Sequence, residues 1–156
     1  MVKLIKIYFS FFAENDNKHP IFKSDGSRFK SSDKTIKFKS DHNYTIFIKS
    51  LPILDFKFLN IDGTVIDLNL IKSTNLGEYT ATWSTKDIPI TKNKTRKDLI
   101  IILSSTEGDL NYTLQTKFYD KDDNHHSLLG TELKTIVWEC FINDSNEITV
   151  YRENFT

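Results

Sequence analysis

Three short stretches of this 156-residue chain hold side chains whose types and spacing could do chemistry. The first is Asp120-Lys121-Asp122-Asp123-Asn124-His125-His126. Asp120, Asp122 and Asn124 match positions 1, 3 and 5 of a calcium-binding loop, but position 6, where such a loop needs glycine, is His125. Position 12 is Thr131 in place of the bidentate glutamate. A transition-metal site built on His125 and His126 would need further ligands, and adjacent residues on a strand point to opposite faces. The segment therefore reads as a solvated connecting loop, with no metal or cofactor expected. The second is Cys140, on the same alternating face as Trp138 and Ile142, which reads as a small buried apolar group and not a reactive thiol. The third is the basic run Lys92, Lys94, Arg96 and Lys97, the only local concentration of charge, placed in the longest break between strands. No glycine-rich phosphate loop is present, and no Ser-His-Asp or Cys-His grouping has local support. The residues thus point to a binding module and away from an enzyme.

The elements that would carry these groups read as strands almost throughout. Only two alanines occur, Ala13 and Ala81, against 18 Ile, 16 Thr, 12 Phe, 6 Tyr, 4 Val and 2 Trp. β-Branched and aromatic residues suit a pleated, half-buried surface, and the strongest helix former is nearly missing. Period-2 alternation predicts strands at Thr35–Lys39, Asn43–Lys49, Glu78–Ser84, Leu110–Phe118, Lys134–Ile142 and Glu147–Tyr151. Two hairpins are expected. One joins Ile21–Lys23 to Arg28–Lys30 through Asp25-Gly26, and the other joins Leu54–Ile61 to Thr64–Ile71 through Asp62-Gly63. Leu99–Leu103 is apolar without a break, which predicts a strand buried on both faces. Thr85–Asp98 and Asp120–Gly130 read as loops. About ten short strands with turn signals between them predict an antiparallel β-sandwich or closed β-barrel, its interior filled by side chains.

Length and charge narrow the function classes. One domain spanning 1–156 is expected at this size. Lys plus Arg number 21, as do Asp plus Glu, and this neutrality argues against nucleic-acid or membrane binding driven by bulk charge. One cysteine excludes an intramolecular disulfide framework. The apolar start MVKLIKIYFSFF is interrupted by Lys6 and followed by Glu14-Asn15-Asp16-Asn17, so it reads as a first strand and not a signal peptide. No run approaches the ~18 apolar residues of a membrane span, and the expected compartment is the cytosol.

An ordered set of segments resembles the cannabinoid receptor-interacting protein family over about residues 2–155. They are Pro20-Ile21-Phe22, Asp25-Gly26-Ser27-Arg28-Phe29, Thr35-Ile36-Lys37, Tyr79-Thr80-Ala81-Thr82, Thr91-Lys92, Lys117-Phe118-Tyr119 and Glu139-Cys140. The chain departs from the family at Asp120–Gly130, where histidines and carboxylates replace the family's Cys and Trp. The resemblance implies a barrel or sandwich related to the Rho GDP-dissociation inhibitor fold. It also implies a non-enzymatic cytoplasmic adaptor that binds the C-terminal tail of a G protein-coupled receptor and modulates its signalling. Such an adaptor would reach the inner face of the plasma membrane through its partner, without inserting. The alternative is a carrier that sequesters a prenyl or acyl chain of a lipid-modified protein, which needs an empty lined cavity. A flexible, Ser/Thr-rich, phosphorylated tail would be drawn to Lys92, Lys94, Arg96 and Lys97, and reversing those four charges is expected to leave the fold intact.

Overall fold

The computed structural model describes residues 2–26 and 32–156. Its strands are β1 (Lys3–Ala13), β2 (Ile21–Ser24), β3 (Lys34–Lys39), β4 (Asn43–Leu51), β5 (Phe56–Ile61), β6 (Thr64–Ile66) and β7 (Asn69–Leu70). They continue with β8 (Tyr79–Ser84), β9 (Lys97–Ser105), β10 (Gly108–Tyr119), β11 (Thr131–Glu132), β12 (Ile136–Ile142) and β13 (Glu147–Phe155). A single 3-10 turn, His126–Leu128, is the only helical piece among the described residues. No helix there is long and apolar enough to cross a membrane.

The all-β expectation holds, but the pairing differs from the antiparallel sandwich or closed barrel read from the pattern. The strands form one curled, mixed sheet. β1 is flanked by β4 and β12, both antiparallel, with β8 and β7 beyond β4 and β13 beyond β12. β10 is the longest strand and serves three neighbours. β9 pairs antiparallel along one edge, while the other edge is shared, parallel, by β13 at Asp109–Leu110 and β3 at Thr116–Tyr119. From β3 the sheet continues through β2 to β11, and from β9 through β5 to β6. No ladder joins β6 to β8, although Cα atoms of the two strands come within 8 Å. The sheet therefore curls without closing. Alternation sets which face of a strand is buried, but it carries no information on strand direction, so parallel pairs were invisible to it.

Alternation does predict the core. Ile5, Ile7, Phe9, Phe11 and Ala13 of β1 are buried, as are Tyr44, Ile46 and Ile48 of β4 and Tyr79, Ala81 and Trp83 of β8. The concave face is packed with rings. Phe38 lies 4.9 Å from Phe11, 5.2 Å from Tyr44, 5.1 Å from Trp83 and 5.6 Å from Phe118, centroid to centroid. Close packing of this kind leaves no lined chamber along that wall. The Asp62-Gly63 hairpin is present, with φ of 52° and 91°, the pair of positive angles that a two-residue turn of this hand requires. Asp25-Gly26 follows β2 as expected, but β2 pairs with β3, and the strand expected at Arg28–Lys30 lies outside the described residues. Leu99–Leu103 corrects the pattern reading: Ile100 is 45% exposed while Leu99, Ile101 and Leu103 are buried, so β9 has a buried and a more open face.

Candidate functional site

The basic run does not stay together on folding. Lys92 and Lys94 are exposed on the long loop. Arg96 turns inward, its side chain only 6% exposed, and clasps Asp25, itself 1% exposed. Nε and Nη2 donate to the two carboxylate oxygens at 3.1 and 3.2 Å, and Nε also lies 3.0 Å from Thr35 Oγ1. Thr35 in turn donates to Asp25 and accepts from Gln115 Nε2 at 2.8 Å. Lys97 Nζ pairs with Asp62 at 2.8 Å. Two of the four charges are thus taken up by the fold, and reversing all four would break a buried ion pair instead of sparing the structure.

Beside the same loop the sheet gathers lysines that no local run announced. Lys23 (β2), Lys37 (β3) and Lys117 (β10) line a groove of about 600 Å³, together with Tyr119, His126 and the loop residue Asn93. β3 and β10 run parallel with Lys37 directly opposite Lys117. Like charges in that position are unfavourable. Lys37 Nζ donates to the carbonyls of His126 (2.9 Å) and Leu129 (2.5 Å). The ammoniums of Lys37 and Lys117 also sit 5.6 and 5.3 Å from the centre of the Tyr119 ring. Burial, and then repulsion from Lys23, Lys117 and Arg96, hold Lys37 below the ordinary lysine range. Burial, followed by Arg96 and Lys23, does the same to Lys117. An anion entering this groove would relieve the repulsion among the three ammoniums.

Asp120 and Asp123 border the groove, but their oxygens cap their own loop. Asp120 Oδ1 accepts the N–H of Asp122 at 2.9 Å, and Asp123 Oδ1 accepts those of His125 and Ser127, both at 3.0 Å. For Asp123 the slight burial raises the carboxyl, and the donors from Ser127 and His125 more than offset it, holding it below the ordinary carboxylate value. Among the described residues no group of three or more His, Cys, Asp or Glu is placed to hold a metal ion.

Cys140 is fully buried, facing the core beside Trp138 as its phase on β12 implies. Burial pushes its thiol up to about 12. In native protein a disulfide reagent such as Ellman's is expected to leave the thiol unmodified at pH 8, and to titrate it fully once denaturant unfolds the chain. Prompt labelling of native protein would show that β12 opens or that the thiol is accessible.

Sequence reasoning missed Lys23, Lys37 and Lys117 because they are isolated along the chain. Their only signal was a lysine at an outward phase on each of three strands, which has meaning only once those strands are known to be neighbours. The family model described as CB1 cannabinoid receptor-interacting protein 1 matches residues 1–155. No curated protein matches the chain.

Proposed function

Since the chain belongs to the CB1 cannabinoid receptor-interacting protein 1 family, we propose that it is a non-enzymatic, cytoplasmic adaptor which binds the C-terminal tail of a G protein-coupled receptor and modulates its signalling. The observation that carries this reading to a place on the molecule is the Lys23–Lys37–Lys117 groove, with Lys92 and Lys94 on the loop that borders it. A tail rich in Ser and Thr gains roughly −1.5 to −2 charge with each phosphate, and lysines attract such groups as point charges. In this reading the partner recruits the adaptor to the inner face of the plasma membrane, in keeping with the absence, among the described residues, of a helix long and apolar enough to cross a membrane. The ring-packed interior around Phe38 gives no support to a carrier that shelters a prenyl or acyl chain.

The test is binding of a fluorescent Ser/Thr-rich peptide carrying two phosphoserines, followed by anisotropy in 20 mM salt, where the screening length is roughly 20 Å. The double substitution Lys23→Gln/Lys117→Gln is expected to leave the fold intact and weaken binding about tenfold, and the difference should shrink at physiological salt. Lys92→Gln/Lys94→Gln is expected to have a smaller effect of the same sign. Equal binding by wild type and both variants at low salt would remove the groove from the proposal.

A further inference from the structure

We infer that the open seam between β6 and β8 is a strand-addition site for an extended segment of a partner chain that alternates apolar and basic side chains. The seam is where the curled sheet fails to close. β8 pairs with β7 only at Tyr79 and Thr80, and β6 pairs only with β5. The ladder shows which backbone groups this leaves exposed. The N–H of Ile71 donates to the carbonyl of Glu78, and Asn69 lies opposite Thr80, so the even-numbered residues of β8 direct N–H and C=O toward β7. Thr82 and Ser84 continue that edge past Asn69, the first β7 residue, and both are exposed. In the same register Asp67 would face Thr82 and Val65 would face Ser84, yet no ladder forms there. A groove of about 740 Å³ lies between them instead.

The walls of that groove specify the guest. A strand laid along Thr82–Ser84 would point alternate side chains at the floor, where Ile66, Trp83 and Ile88 line the groove. Those positions of the guest are therefore apolar. The rim carries Asp62, Asp67 and Asp87 against Lys86 and Lys97. Lys97 is already paired with Asp62, which leaves two lining carboxylates, Asp67 and Asp87, against one lining ammonium, Lys86. The positions between the apolar ones are therefore basic. Main-chain hydrogen bonds supply the affinity in such a mode and the alternate side chains supply the selectivity. The seam is separate from the lysine groove: Ile88 and Pro89 of the long loop line the one, Ile90 and Thr91 the other.

The probe is a fluorescein-labelled acetylated heptapeptide amide alternating lysine and valine, titrated into the full chain with amide exchange followed by NMR. Binding should slow exchange at Thr82 and Ser84. A peptide N-methylated at alternate residues, unable to donate along the edge, should bind about tenfold more weakly, as expected for two lost hydrogen bonds of about 0.7 kcal/mol each. Asp67→Lys/Asp87→Lys should weaken the parent peptide while leaving the phosphopeptide titration unchanged. The inference is overturned by equal affinity for the parent and N-methylated peptides. It is overturned equally by protection that maps to Lys23, Lys37 and Lys117, or by no binding at 1 mM peptide, roughly the weakest affinity such a site could have.

Discussion

Replacing Arg96 with alanine is expected to cost about 3–5 kcal/mol of stability, because it leaves the buried Asp25 carboxylate with only the half-exposed Lys23, 3.5 Å away, as a counter-charge. For a domain of this size that corresponds to a fall in Tm of roughly 10 °C, measured by thermal unfolding. The effect exceeds that of a surface charge because the guanidinium grips both Asp25 oxygens while Thr35 and Gln115 complete the network. The loop before β9, the end of β2, β3 and β10 are all tied at this one point. Removing the stranded charge as well, in Asp25→Asn/Arg96→Ala, should recover part of the loss. Acid should expose the same pair in the native protein. Burial raises the Asp25 carboxyl, but hydrogen bonds from Arg96 and Thr35 and the charges of Arg96 and Lys23 more than offset it, so its folded pKa lies below the ordinary 3.8. A carboxyl depressed on folding contributes stability above its unfolded pKa and loses it as pH falls through the folded value. Wild type should therefore lose stability below about pH 4 more steeply than Asp25→Asn. A loss under about 1 kcal/mol in Arg96→Ala would assign the pair to the weak surface class.

Phe38→Ala is the second large effect, about 3–5 kcal/mol by denaturant unfolding. Phe38 is fully buried at the centre of four rings contributed by β1, β4, β8 and β10, so truncation leaves a cavity that none of these strands can close alone. Ile100→Ala provides the internal contrast. The unbroken apolar run around Ile100 reads as buried on both faces, yet the residue is 45% exposed. Its replacement should cost under about 1 kcal/mol, in keeping with surface positions. Comparable losses for the two variants would mean that the outer face of β9 is covered in solution.

Strand phase was legible in the sequence, and strand adjacency was not. The buried faces of β1 and β12 could be read directly, because a side-chain period of 2 sends Ile5, Ile7, Phe9 and Phe11, or Trp138 and Cys140, to one side whatever the strand's neighbours are. The Asp62-Gly63 turn was legible for a similarly local reason, since only a few residues accept two positive φ angles in succession. Arg96 was misjudged because charge in a run looks solvated until a partner is known, and Asp25 lies 71 residues away. Lys37 and Lys117 lie 80 apart and meet only because β3 lies parallel on one end of β10.

By itself, then, the order of residues determined an all-β chain, the buried faces of most of its strands, its principal turn and its family, all of which depend on local stereochemistry or on the linear order of segments. Tertiary structure alone decided the parallel pairs at β10, the failure of β6 to close on β8, the burial of Arg96 and the gathering of three lysines in one groove. Each of these depends on which strands lie side by side, and backbone hydrogen bonds of nearly equal strength leave that choice to packing across the whole core.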